Sequence, residues 1–277
     1  MIPRLTHSFP FQLSNDRAII RGCGDIWIVL RPGESIQGTP LGTLYIPDSL
    51  VPDVMMISGI DKSNNIYVRD WRVQRINLDT LSTNRYEFDC VGCEGETAVN
   101  AAGYFLAISD YHWQFSLFNP RGDLVVDGYK LRDNERNFQK PDTVEPFWEI
   151  GANSICANDT AFAVTGWPLE DRIDLYTLSG EVINIIKDFK YNGTLYSLEK
   201  LGPRKIQFDF KNRIWVTCWS SLIVFKFTGE CIFFEEISNL EIIGQPAYAR
   251  MWFAIDKRDL FWTLSKDYIG AFEVNIE

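Results

Sequence analysis

Ile206-Gln207-Phe208-Asp209-Phe210, Lys211-Asn212-Arg213 and Ile214-Trp215-Val216-Thr217-Cys218 follow one another without interruption, and their reading decides the fold. Two short apolar runs flank a polar three-residue turn, the pattern of two strands joined by a hairpin. The chain then turns at Ser220-Ser221 and runs out through 222–227. It turns again at Thr228-Gly229-Glu230 and closes with 231–237. The whole is predicted as a four-stranded antiparallel meander.

Working outward, the turn-aromatic phrase at the centre of this unit has five other copies. They read Asp25-Ile26-Trp27-Ile28, Asn65-Ile66-Tyr67-Val68, Gly103-Tyr104-Phe105-Leu106, Thr160-Ala161-Phe162-Ala163 and Asp259-Leu260-Phe261-Trp262. From aromatic to aromatic the steps are 40, 38, 57, 53 and 46 residues. Strand-rich repeats of about 40–50 residues are the signature of a β-propeller. The fold expected is therefore all-β, a six-bladed β-propeller of four-stranded antiparallel blades forming a single domain over 1–277. The blades fall at 14–50, 53–91, 95–132, 150–190, 203–238 and 247–277. A Gly-acid turn precedes the last strand at Gly122-Asp123, Gly180-Glu181 and Gly229-Glu230. In the first unit Gly33-Glu34 comes too early for a full third strand, so that unit is irregular or offset. The last unit has three strands before the chain ends, and the N-terminal strand, within 8–13, is expected to complete the last blade. Closing the ring removes exposed strand edges. Two polar inserts, 127–148 and 188–203, account for the two longest steps and are expected to cross one face. In the second strand of each blade, the phrase's ring should pack between neighbouring blades.

Composition narrows the function. The chain has 277 residues, 46% hydrophobic and 14% aromatic, enough for a substantial core without disulfides. A formal charge of −10 speaks against a phosphate-backbone footprint, so no nucleic acid is expected as a partner. No apolar run is long enough to cross a bilayer, so no membrane association is expected. Met1-Ile2-Pro3-Arg4-Leu5 does not read as an export signal, and a cytoplasmic location is expected. The six cysteines, Cys23, Cys90, Cys93, Cys156, Cys218 and Cys231, then read as buried thiols. Cys90-Val91-Gly92-Cys93 lacks the second pair or the histidines that a zinc site needs. Two glycosylation sequons occur, Asn158-Asp159-Thr160 and Asn192-Gly193-Thr194. His7 and His112 are the only histidines, and there is no nucleophile elbow or phosphate-binding glycine loop. No catalytic residue, metal or cofactor is assigned.

Turn-aromatic strands with glycine-acid returns resemble the six-bladed propellers of the NHL-repeat and gluconolactonase-like superfamily. The resemblance implies that fold. In the gluconolactonase-like enzymes it also implies one divalent metal at the channel mouth, held by a glutamate, an asparagine and an aspartate. Asn153, in Gly151-Ala152-Asn153-Ser154-Ile155, matches the asparagine. Pro203-Arg204-Lys205-Ile206 carries cations where the aspartate belongs, and Asp16-Arg17-Ala18-Ile19 supplies no glutamate. A hard cation needs several oxygen ligands, so one match in three predicts no metal here.

Aligning the inner strands by their turns brings Arg17, Glu96, Asn153, Arg204 and Arg250 to about one level at the channel mouth. Arginine's planar fork suits a carboxylate or phosphate. This ring either holds a small anionic ligand or a partner's acidic side chain, or its members pair with one another and plug the channel. Trp113, Trp148 and Trp167 lie outside the repeat phrase, in turns and inserts, where they would serve as interface anchors or pack within loops. The expected function is a non-catalytic binding or scaffold propeller holding a protein partner or small acidic ligand on one face or at the channel mouth. The alternative is a gluconolactonase-like hydrolase or lyase with a remodelled channel site.

Overall fold

The computed structural model describes residues 11–14, 17–22, 25–30, 42–45, 56–63, 65–69, 73–77, 79–80, 82–85, 97–109, 114–127, 154–165, 172–218, 220–236, 253–255, 259–264 and 269–276, with side chains for most of them from residue 59 onward. Strand dominates these residues, as expected. Aromatic and β-branched side chains suit half-buried pleated surfaces, and Gly, Asn and Asp punctuate them.

The first sheet joins two units. β1 (Phe11–Ser14), β2 (Arg17–Gly22), β3 (Asp25–Leu30) and β4 (Gly42–Tyr45) form one, and β5 (Met56–Ile60), β6 (Asn65–Arg69), β7 (Val73–Asn77) and β8 (Ser82–Arg85) the other. A single parallel bridge, Gly22 to Ile60, links them. The second sheet is the meander β9 (Thr97–Val99), β10 (Phe105–Ser109), β11 (Gln114–Phe118) and β12 (Leu124–Asp127). The third is β13 (Ser154–Ala157), β14 (Ala161–Thr165), β15 (Ile173–Thr177) and β16 (Val182–Ile186). A hairpin of β17 (Asp188–Tyr191) and β18 (Thr194–Ser197) and the short helix α1 (Leu198–Leu201) lead to the fourth sheet. That sheet is β19 (Pro203–Phe208), β20 (Ile214–Cys218), β21 (Ser221–Phe225) and β22 (Cys231–Glu236), and β23 (Phe253–Ile255), β24 (Leu260–Leu264) and β25 (Ile269–Glu273) make the last.

The first strands of successive units, β2, β5, β9, β13, β19 and β23, neighbour one another in that order. Meanders arrayed side by side through their first strands are the arrangement of a β-propeller. The sheets between the first and the last therefore bury both faces. Tyr67 of the first sheet meets Phe105, Ala107 and Phe118 of the second. Leu106, Leu117 and Val126 of the second meet Ile155, Phe162, Val164 and Tyr176 of the third. Cys156, Ala163, Ile173, Leu175 and Ile186 then meet Ile206, Phe208, Val216 and Phe225 of the fourth. The period of two along a strand makes this possible, because neighbouring residues serve opposite interfaces. Tyr67, Phe105, Phe162, Trp215 and Phe261, five rings of the repeated phrase, are all at most 2% exposed. Two neighbouring pairs of them meet, Tyr67 with Phe105 and Trp215 with Phe261, at centroid distances of 6.0 Å in each case.

The structure revises or sharpens the expectations at four places. β1 pairs with β2, Phe11 opposite Ile19 and Gln12 opposite Ala18, and does not add a fourth strand beside β25. It also lies against β24, so the N-terminal strand touches the last sheet without completing it. A hairpin between adjacent segments closes a much smaller loop than a pairing between the two ends of the chain, and costs less entropy. In the first unit β4 runs parallel to β3, Trp27 opposite Gly42, so this unit departs from the antiparallel meander, in line with the irregularity expected of it. The inner strand of the fourth sheet spans Pro203–Phe208 instead of 206–210. Asp209 ends it early by turning its carboxylate onto the following backbone. Finally, the insert 188–203 has structure of its own, with β17 lying against β22. Phe189 stacks on Tyr196 at 5.3 Å and meets Phe225 edge-on at 5.2 Å, wedging the hairpin onto the fourth sheet.

Candidate functional site

At the end where the inner strands begin, β19 opens with Pro203-Arg204-Lys205. A register irregularity between Pro203, opposite Cys218, and Lys205, opposite Thr217, places two successive cations at its start. Both are half-buried. Ser154, the first residue of β13, is fully buried, and its Oγ accepts a 3.0 Å hydrogen bond from the Ile206 N–H. That bond fixes the level of β13 against β19: Ser154 stands beside Ile206, with Arg204 two residues earlier along β19. The same sheet holds buried polar atoms, with Thr217 opposite Lys205. Gln207 Oε1, Thr217 Oγ1 and Ser221 Oγ are buried without a hydrogen-bond partner. Cations backed by hydroxyls are chemically suited to an anion, since guanidinium, ammonium and hydroxyl groups all donate.

The same end of the third sheet holds a second charged group that the sequence reading missed. Arg172 and Asp174 are 4% and 0% exposed. Arg172 Nε lies 2.6 Å from Asp174 Oδ1, and its Nη2 donates to Oδ2 at 2.7 Å. Tyr176 OH donates to the same Oδ2 at 3.2 Å, and the Arg172 carbonyl accepts from Thr165 Oγ1 at 2.7 Å. The guanidinium and the carboxylate face each other as a fork at the start of one strand, and the Thr165 bond ties β14 to that start. Its signal was legible: Arg172, Asp174 and Tyr176 alternate along one strand and so share one face.

The opposite end carries a belt of turns between the first and second strands of the units. Asp61 Oδ1 accepts from the Ser63 and Asn65 backbone N–H groups at 2.8 and 3.1 Å, while Oδ2 accepts from Tyr67 OH. Asp209 repeats the device, with Oδ1 2.8 Å from the Lys211 and Arg213 N–H groups and Oδ2 2.7 Å from Trp215 Nε1. The turns also bond one to the next. Lys62 N–H reaches the Ala101 carbonyl, Asn100 Nδ2 the Asn158 carbonyl, and Asn158 Nδ2 the Asn212 Oδ1. Lys211 and Arg213 both reach the Asp259 carboxylate. Every polar atom in this chain of contacts faces another protein atom, so the belt is a fastening between sheets.

Of the residues singled out from the sequence, Arg204 is described as above. Arg17 begins β2, its backbone opposite Ser14, with its side chain outside the described residues. Glu96, Asn153 and Arg250, with Trp113, Trp148 and Trp167, also lie outside them, as does His112. Glu96 and Asn153 directly precede Thr97 and Ser154, the first residues of β9 and β13, and β13 neighbours both β9 and β19. Among the described residues no three His, Cys, Asp or Glu side chains converge on a metal-sized centre, and no helix is long and apolar enough to cross a membrane. Cys156, Cys218 and Cys231 are free thiols, the first two buried. Burial pushes the Cys231 thiol up to about 11, against a smaller opposing effect of its hydrogen bond to the Phe233 carbonyl. The two sequons differ: Asn158 is tied into the belt, whereas Asn192 is exposed at the tip of the β17–β18 hairpin.

Comparison with known proteins places the fold. No family model and no curated protein matches the chain. Among solved structures, a streptogramin B lyase superposes over 80% of this chain with a TM-score of 0.51 at 14% identity. The chain spans 65% of that protein's length. Virginiamycin B lyase from Staphylococcus aureus matches over 79% of this chain and 69% of its own, with a TM-score of 0.50 and 13% identity. A gluconolactonase from Xanthomonas campestris aligns at 10% identity with a TM-score of 0.48. The chain is a β-propeller, and its likeness to these lyases is one of fold.

Proposed function

We propose that this chain is a six-bladed propeller acting as a binding module, and that it holds a small carboxylate or phosphate at the channel mouth. One observation carries the reading: Arg204 and Lys205 stand side by side, half-buried, at the start of the inner strand β19 of a strongly acidic chain. Adjacent cations in such a chain concentrate the local field where the rest of the surface repels anions. Arg17 and Arg250 would add to that field from neighbouring strands, with Glu96 and Asn153 orienting them. The three free thiols support a reducing compartment, and so a cytoplasmic site of action.

Isothermal titration with citrate and with inorganic phosphate tests the reading. Arg204→Ala should weaken binding about tenfold, the scale of one charge-assisted hydrogen bond, while leaving the thermal midpoint near that of the parent. If Arg204→Ala lowers the midpoint and neither anion binds the parent protein, the cations plug the channel. A protein partner is the second occupant of the proposal. For this, Trp148→Ala/Trp167→Ala should lose a partner captured from the native host that the parent retains.

The runner-up is a gluconolactonase-like hydrolase or lyase with a remodelled channel. Its support is the superposition on streptogramin B lyase, which concerns fold. A rise in thermal midpoint with added Ca²⁺ or Zn²⁺ would favour it over the binding module.

A further inference from the structure

The loop joining β17 to β18 is two residues long, Asn192-Gly193, with φ of 47° and 80°. Both are left-handed, as a type I′ hairpin turn requires, and Tyr191 pairs with Thr194 across it. The asparagine amides elsewhere among the described side chains are held. Asn65 donates to Asp61, Asn77 to Asn65, Asn119 to Asp123, Asn184 to the Thr228 carbonyl, and Asn100, Asn158 and Asn212 belong to the belt. Asn192 makes no such bond and is exposed; only Asn275, near the C-terminus and followed by a β-branched isoleucine, shares that state. The Gly193 N–H donates to no acceptor among the described hydrogen bonds, and a β-carbon built on Gly193 would meet nothing within 4 Å.

From these features we infer that Asn192 is a self-modification site, losing its side-chain amide in the folded protein. The Gly193 nitrogen gives up its proton and forms a bond to Asn192 Cγ. The Cγ–NH₂ bond breaks, and the amide leaves as ammonia with that proton. Water then opens the five-membered imide at one of its two carbonyls. The product is aspartate at 192, or isoaspartate with the main chain routed through the side-chain carbon. The reaction needs a backbone nitrogen without a hydrogen bond, an amide free to rotate and no side chain on the following residue; Asn192-Gly193 meets all three. The consequence is structural. Isoaspartate lengthens a two-residue turn by one backbone atom, and turn length sets the register that places Phe189 opposite Tyr196.

The test is to hold the purified full-length protein at mildly alkaline pH and body temperature, then map peptides by mass spectrometry. The peptide containing Asn192 should gain the mass of an amide-to-acid exchange and split into two chromatographic species. It should do so several times faster than peptides containing Asn158 or Asn212. Asn192→Gly keeps the turn's left-handed backbone and should abolish the change without moving the thermal midpoint. The chain unfolded in urea supplies the reference rate. If the unfolded chain converts and the folded one does not, the turn holds the Gly193 nitrogen away from Cγ and the inference fails. Equal conversion at Asn158 would overturn it as well, because the free amide would then confer no selectivity.

Discussion

Asp209 shows how much one side chain can be asked to do. Its carboxylate is 0% exposed and accepts from two backbone N–H groups, from Arg213 Nε and from the Trp215 indole N–H. Replacing it by Ala leaves those donors and the Arg213 charge without their acceptor. Asp209→Ala should therefore cost about 3–5 kcal/mol, read as a fall in the urea midpoint at constant slope. Asp209→Asn should fall between, since it retains one acceptor and turns an amide toward the indole. Cys231 makes a different prediction. With its thiol raised from 9.0 to about 11 by burial, little thiolate exists near neutrality, so alkylation should be slow there and accelerate as the pH approaches the folded value. The sign for stability follows. The folded state favours the protonated thiol, so the stability this adds is complete below the unfolded pKa and is lost as pH rises toward 11.

Between elements, two turns are shaped by what a neighbouring sheet places over them. Gly103, with φ of 86°, lies under Tyr67, whose OH donates to its carbonyl at 3.0 Å; a β-carbon there would stand 2.7 Å from that OH. Gly229, with φ of 90°, faces Asn184 Nδ2, which a β-carbon would approach to 2.5 Å. Each glycine thus serves both its own turn and the seat of a side chain from the preceding sheet. Gly103→Ala and Gly229→Ala should each cost at least about 1–2 kcal/mol, the left-handed penalty alone, with the larger loss at Gly103, where the buried Tyr67–Asp61 contact must also move. Equilibrium denaturation of both variants checks this. The glycine-acid returns were readable in the sequence. That an asparagine or tyrosine from another unit sits on the glycines was not, because nothing local specifies which side chain crosses.

For the whole molecule, the belt of turn-to-turn bonds is one feature that links sheet to sheet apart from the core. Its last link is Asp259, reached by Lys211 and Arg213. Asp259→Asn keeps a residue that tolerates the φ of 66° there while removing the charge. We expect a loss of about 1 kcal/mol, as for a partly exposed ion pair. Hydrogen exchange should quicken in β24 and β25 and stay unchanged in β14 and β15, since each sheet depends chiefly on its immediate neighbours.

Much of this organisation was legible beforehand. The aromatic phrase marked the second strand of each described unit, because burial on both faces selects bulky residues there. Asp61 and Asp209, each six residues ahead of Tyr67 and Trp215, were equally visible as a pattern, but their role depends on side chains folding back onto the turn. Asn192-Gly193 is a strong hairpin signal inside a polar insert, but what seats the hairpin is Phe189 and Tyr196 facing Phe234, a contact between distant residues. The β1–β2 hairpin had no comparable cue, and the early Gly33-Glu34 pair marked the first unit as irregular without specifying the parallel β3–β4 pairing.

By itself, then, the sequence determined the strand-and-turn repeat, since alternating hydrophobicity and turn chemistry act over a few residues. Only the tertiary structure decided which strands pair at the ends of the chain, which rings meet across sheets, and which charges are paired. It matched Arg172 with Asp174 and set Arg204 beside Lys205 at the start of β19. Those outcomes depend on distances between residues far apart in the chain, and such distances exist only once the sheets have packed.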